Sequence, residues 1–325
     1  MRNILDRRLV LTGLAATLAF ALPIAGSRAA EPLSVVATTP MIADALRVIG
    51  GDRVTVTALM GEGVDPHTYR QTRSDIAAMV RADAVFWHGL YLEAQLEDFL
   101  ITLASRTEVV PIAELAFPTD RLIAHDVYAD RYDPHVWMNP RLWTTVVQRI
   151  AAELTRIDPA GAEAFETRSA AYVAEIERLA DYAEQTLATV PDDARVLVTA
   201  HDAFNYFGRA YDFEVMGIQG LSTESEAGLA RVEELVGLLV ERRIRAIFVE
   251  TSVSDRNVMA LVEGAAARGH EVVVGGRIYS DSMGPPGTYE GTYLGMIDHN
   301  VTVIARALGG DAPAAGSAGR LVAAN

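Results

Sequence analysis

Cysteine and lysine are both missing from this 325-residue chain, so all 28 of its basic side chains are arginine. Without cysteine there is no disulfide, thiolate nucleophile, iron–sulfur cluster or thiolate zinc site, nor a thiol to carry an N-terminal lipid. Any metal must be held by His, Asp or Glu. Without lysine, Gly284-Pro285-Pro286-Gly287-Thr288 cannot be a nucleotide-binding P-loop, which needs Lys after its last Gly. Hydrolase signatures are lacking too: there is no His-Glu-x-x-His, and no Gly-x-Ser-x-Gly precedes a helix. Positive charge is scarce, with 43 acidic residues giving a net charge of −15 and no basic cluster, which excludes nucleic acid as a partner. With half its residues hydrophobic, the chain is long enough to bury a sizeable core.

Long apolar runs are equally rare. Leu9 to Ile24 is about 16 residues, short of the roughly 20 that span a bilayer, and no later stretch is longer. Arg2, Arg7 and Arg8 precede it and Gly26-Ser27-Arg28-Ala29-Ala30 follows, which predicts an export signal over residues 1–29 cleaved after Ala29. Arg7-Arg8 before Leu9 is compatible with twin-arginine export. That segment carries a net +3, so the mature chain stands at −18. The expectation is a periplasmic protein that is not lipid-anchored.

From residue 33 onward, short β-branched runs alternate with helical ones. Strands are predicted at Leu33–Thr39, Arg53–Leu59, Ala84–Trp87 and Glu108–Ile112, with helices at Met41–Ile49, Ser74–Arg81 and Leu92–Ala104. A second series has strands at Arg195–Thr199, Phe213–Met216, Ala246–Val249 and Glu271–Val274. Its helices fall at Ala203–Ala210, Leu229–Arg242, Asn257–Ala267 and Thr292–Leu308. Between the two, Ala160–Thr189 places Phe165, Tyr172, Ile176, Leu179, Tyr182 and Leu187 on one face of a single helix. The expected fold is α/β: two lobes, each a mostly parallel sheet flanked by helices, joined by one long connecting helix. The boundaries are an N-terminal lobe over 30–157, a linker helix over 158–190, a C-terminal lobe over 191–310 and a disordered Ala/Gly-rich tail over 311–325.

Two of the seven histidines share a tripeptide, Asp65-Pro66-His67 and Asp133-Pro134-His135. Proline fixes its own φ and disfavours helix at the preceding Asp, which holds each His in a loop of limited freedom. His201 follows the apolar run Val196–Ala200, at the C-terminal strand end where open α/β sheets present ligands, and Asp281 lies similarly beyond strand Glu271–Val274 and the turn-forming Gly275-Gly276. Three imidazoles and a carboxylate suit a divalent transition ion, and four protein donors leave no obvious position for a reactive water, which favours binding over catalysis. The separations of 68, 66 and 80 residues carry little signal of their own. His88, His125, His270 and His299 read as structural, and Asp192-Asp193 and Glu224-x-Glu226 as solvated faces or caps. A metal-dependent hydrolase and an exported adhesion protein with a structural metal remain the rival readings.

Four ordered blocks then carry a resemblance: Asp65-Pro66-His67-Thr68-Tyr69, Asp133-Pro134-His135-Val136-Trp137-Met138-Asn139-Pro140, Val198-Thr199-Ala200-His201-Asp202-Ala203-Phe204, and Asp281-Ser282-Met283-Gly284. The chain resembles the solute-binding proteins of zinc and manganese ABC transporters, the cluster A-I or cluster 9 family. Gly220-Leu221-Ser222-Thr223, Phe248-Val249-Glu250 and Gly291-Thr292-Tyr293 extend the resemblance along the mature chain. It implies one metal ion between the lobes, carried as transported ligand on His67, His135, His201 and Asp281, with no catalytic residues. It also implies a membrane permease as partner, with a periplasmic metal chaperone as a further one, and a monomeric chain. The stretch Phe117–Asp133 holds only His125 instead of the His-rich loop of many zinc-specific members, whereas His201 stands where manganese-preferring members often have Glu. Imidazole-rich sites suit zinc and oxygen-rich ones manganese, so zinc is the expectation and manganese the alternative. Asp281, in a Gly-bounded loop, is the ligand expected to shift on release.

Overall fold

The computed structural model describes residues 31–125 and 130–322. The expected export signal and its cleavage point lie outside these residues. No helix among the described residues is long and apolar enough to cross a membrane.

The N-terminal lobe is a four-stranded parallel sheet in the order β2-β1-β3-β4, from β1 (Leu33–Ala37), β2 (Val54–Ala58), β3 (Ala84–Trp87) and β4 (Glu108–Pro111). Between these strands run α1 (Pro40–Gly50), α2 (Arg73–Arg81) and α3 (Glu97–Leu103), with α4 (Ile112–Ala116) after β4. Proline at the first position starts α1, where its missing N–H costs nothing. A capping box between Thr72 and Asp75 starts α2. The helix expected from Leu92 begins only at Glu97, because Leu90 and Tyr91 take positive φ and the chain turns tightly before it can wind.

Next come α5 (Pro140–Ile157) and α6 (Ala162–Leu187). The 26 residues of α6 extend about 39 Å at 1.5 Å each. This helix buries Phe165, Tyr172, Ile176, Leu179 and Leu187, while Tyr182 is half-buried. It packs on α1 and α5 from one lobe and on α10 (Tyr293–Ala307) from the other. One hydrophobic core therefore runs from Val35 through α6 to Ala312, and the lobes share a buried spine.

In the C-terminal lobe, β5 (Val196–Thr199) pairs in parallel with β6 (Glu214–Gly217), and β7 (Ala246–Glu250) with β8 (Val273–Ile278). Strand β5 lies alongside β7. Helices α7 (Asn205–Tyr211), α8 (Leu229–Glu241) and α9 (Arg256–Ala267) connect them. Gly275-Gly276, expected as a turn, sits inside β8 opposite a register shift between Ile247 and Phe248. A Cβ on Gly275 would come within 2.8 Å of Ala307 Cβ and one on Gly276 would collide with Val303, so glycine lets α10 lie close on the strand. The tail expected to be disordered instead packs through residue 322. Ala312 and Leu321 are buried, and the buried carboxylate of Asp298 accepts hydrogen bonds from Ser317 N and Oγ.

Candidate metal centre

Each candidate side chain sits just beyond the C-terminal end of a strand or at a helix start facing that edge. His67 lies in the loop after β2, where Asp65 Oδ1 accepts the His67 N–H at 2.9 Å and Asp65 Oδ2 accepts the Thr68 hydroxyl at 3.0 Å. The second tripeptide repeats the turn: Asp133 Oδ1 accepts the His135 N–H at 2.9 Å and faces ring Nδ1 at 2.7 Å. His135 then leads into a 3-10 turn, Val136–Met138, and α5. His201 follows β5, and Asp281 follows β8 by three residues.

These four, two from each lobe, converge with one donor atom each, all within 4.8 Å of one another. His67 Nε2 is 3.4 Å from His135 Nε2, His135 Nε2 is 3.4 Å from Asp281 Oδ1, and His201 Nε2 is 3.1 Å from Asp281 Oδ2. Donors placed tetrahedrally at about 2.1 Å from one ion stand about 3.4 Å apart; these three spacings are close to that value, while His67 Nε2 and Asp281 Oδ2 stand 3.8 Å apart and the set as a whole spans up to 4.8 Å, so a four-coordinate ion would draw the donors slightly inward. All four residues are buried, His67 being 2% exposed and the others 0%. His201 Nε2 and both Asp281 oxygens lack a hydrogen bond of acceptable geometry despite their proximity. Buried polar atoms left without hydrogen bonds are costly, and a cation at their centre would satisfy all of them.

Two further carboxylates aim the rings. Glu250 ends β7 at zero exposure, where its Oε2 faces His201 Nδ1 at 2.6 Å and its Oε1 accepts the His201 N–H at 2.9 Å. Asp133 does the same for His135, and is itself held by Asn205 Nδ2 at 3.1 Å. Fixing Nδ1 leaves Nε2 directed at the centre, the usual arrangement behind a metal-bound imidazole. No short motif in the sequence announces these orienting roles. Their signals are instead an Asp two residues before His135 and a Glu closing an otherwise apolar strand.

Charge follows geometry. Burial pushes His67 down to about 3, only partly offset by Asp281, so its ring is neutral. Burial opposes charge on His135, but Asp133 and then Asp281 outweigh it and hold the ring up to about 9. Likewise, Glu250 and Asp281 outweigh burial at His201 and raise it. Burial disfavours the Asp281 carboxylate, yet His201 and His135 hold it well below the usual range. An incoming cation competes with protons here, so uptake releases them.

Of the remaining histidines, His125 lines the cavity beside His67, and the other three are held by backbone carbonyls. His88, buried after β3, bonds through Nε2 to Pro134 O at 2.7 Å and stands edge-on to Trp137. His270 Nε2 pairs with Ile244 O, and His299 Nε2 with Arg277 O. Across the cleft, Trp137 Nε1 donates to Ser280 O at 2.9 Å, Thr223 Oγ1 to Asp65 Oδ2 at 2.5 Å, and Gln95 to Glu224.

Known proteins resemble this chain over most of its length. Residues 35–307 match the family described as zinc-uptake complex component A, periplasmic. The manganese-binding lipoprotein MntA of Bacillus subtilis is 46% identical over 284 residues, covering 87% of this chain and 92% of MntA. The zinc-binding protein TroA of Treponema pallidum is 41% identical over 278 residues, covering 86% and 89%. The solved structure of that periplasmic zinc-binding protein superposes with a TM-score of 0.83 at 40% identity, covering 85% of this chain and 99% of that one.

Proposed function

The chain belongs to the zinc-uptake complex component A family of metal-binding ABC-transporter solute-binding proteins, and from that premise we propose that it captures zinc on His67, His135, His201 and Asp281. The observation that carries this reading is the buried convergence of three imidazole nitrogens and one carboxylate within 4.8 Å of one another. Nitrogen-rich four-coordinate sets suit zinc, whereas manganese favours more numerous oxygen donors and stands lower in the affinity series. Four protein donors complete a tetrahedral ion without a water to activate, so the site holds an ion and does not catalyse. Manganese is the second reading, favoured by the 46% identity to a protein named for manganese.

Capture takes place in the periplasm, after export through the segment 1–29, and the ion passes to a membrane permease served by a cytoplasmic ATPase. MntA is named a lipoprotein. Here no residue is cysteine, which supports a carrier without a thiol-linked lipid. The test is chelator competition with zinc and manganese on protein purified without added metal, together with its elemental content. His67→Ala and His201→Ala are expected to lose high-affinity binding. Parent-like affinity in either would move the site elsewhere.

A further inference from the structure

Over His67 lies an open cavity of about 630 Å³ between the lobes, lined by Tyr91 and Arg131 from the N-terminal lobe and by Glu224 and Glu226 from the C-terminal one. At about 30 Å³ per water, an ion with six waters occupies about 200 Å³. The cavity is some threefold larger and falls in the range of small-molecule sites.

One wall is built at a conformational cost. Gly89, Leu90 and Tyr91 have φ of 79°, 55° and 67°, and two successive non-glycine residues in this region are disfavoured. Carboxylates hold the turn. Glu93 accepts the His88 and Gly89 N–H groups, and Glu114 accepts that of Leu90 at 2.9 Å. The turn presents Tyr91, and the Arg131 guanidinium stacks on its ring at 3.7 Å. No carboxylate among the described residues pairs with Arg131, so the donors along the edge of its fork remain available. Arg231, also on the cavity wall, is already committed to Glu234 at 3.1 Å and to Gly217 O at 3.0 Å. Glu224 and Glu226 are exposed, and each accepts one amide hydrogen bond, from Gln95 and from Asn257, which leaves its second oxygen for a cation.

Arg131, which no carboxylate of the described residues pairs with, lines the same cavity as Glu224 and Glu226, a mixture of charges that disfavours a polycarboxylate and suits a zwitterion. Resting on the metal-capture reading above, we infer that this cavity receives the cargo as a complex with an amino-acid-type chelator. The metal's bonds to the chelator are exchanged one by one for bonds to His67, His135, His201 and Asp281, and Arg131 takes the chelator carboxylate as it comes off the metal. The freed amine takes a proton from solvent water and is met by Glu224 or Glu226. The metal keeps its charge throughout and no electrons move.

The probe is zinc with L-histidine. Uptake by the metal-free full-length protein is followed by stopped flow from zinc–histidine, from zinc–citrate and from aqueous zinc, at matched free zinc. Parent protein is expected to take zinc from the histidine complex faster than free zinc accounts for, with a rate that saturates in complex. Arg131→Gln should slow that route about tenfold, the effect of one charge-assisted hydrogen bond, while leaving the aqueous rate and final affinity unchanged. Direct calorimetry of L-histidine on the parent covers the case in which Arg131→Gln fails to fold, and absence of binding there overturns the inference. So do uptake that tracks free zinc alone and equal slowing of all three routes. Failure to take zinc from any source would instead sink the metal-capture reading itself.

Discussion

Replacing Glu250 by glutamine exchanges one oxygen of the carboxylate that aims His201 for an NH2 group while nearly keeping its volume. In the parent, one oxygen faces the ring Nδ1 at 2.6 Å and the other accepts the backbone N–H at 2.9 Å. The amide has only one acceptor, so either the ring or the backbone N–H meets an NH2 group, and the negative charge that favours a ring donating from Nδ1 is gone. A hydrogen bond to a charged group contributes about 1.5–3 kcal/mol, which is about 10–100-fold in Kd and agrees with the usual effect of losing the orienting partner of a metal-bound imidazole. Zinc titration against a competing chelator at neutral pH measures it, with circular dichroism confirming the fold. Glu250→Ala should cost more, since it leaves both buried N–H groups without an acceptor. A folded Glu250→Gln protein binding within about twofold of the parent would refute the claim that this carboxylate sets the ring.

Other outcomes follow from the same geometry. Thr223→Val removes the 2.5 Å hydrogen bond that ties the lobes beside His67, so zinc release to excess chelator should quicken about tenfold in stopped flow; an unchanged rate would deny that this contact retains the ion. Glu93, pushed up to about 7 by burial that its hydrogen bonds from Thr38 and the nearby backbone only partly offset, is protonated in the fold below that pH but ionised in the unfolded chain above about 4.5. Its contribution is thus present at acid pH and lost as pH rises to about 7, so Glu93→Gln should abolish up to about 3 kcal/mol of stabilisation gained between pH 8 and 5, read by denaturant titration. Gly276→Ala should lower stability by about 1–3 kcal/mol, because its Cβ meets Val303 on α10; a parent-like Tm would show that α10 can move away from β8.

What the chain encodes locally was readable from it. Alternating runs announced parallel sheets, and the one-sided pattern of Phe165, Tyr172, Ile176 and Leu179 announced α6, because burial periodicity is a property of consecutive residues. The Asp-Pro-His turns were likewise visible, each closing on itself within three residues. Other features needed contacts that no short window contains. Gly275-Gly276 reads as a turn until α10 is seen lying on β8, and the tail reads as loose until Asp298 is found gripping Ser317. Glu250 is 49 residues from the imidazole it aims. The sequence by itself determined which donors exist and, by omitting cysteine, that they are nitrogen and oxygen. Only the tertiary structure decided that four donors, 66 to 80 residues apart along the chain, meet within 4.8 Å. Parallel strands bring their C-terminal ends to one edge in each lobe, and α6 with its shared core holds the two edges face to face.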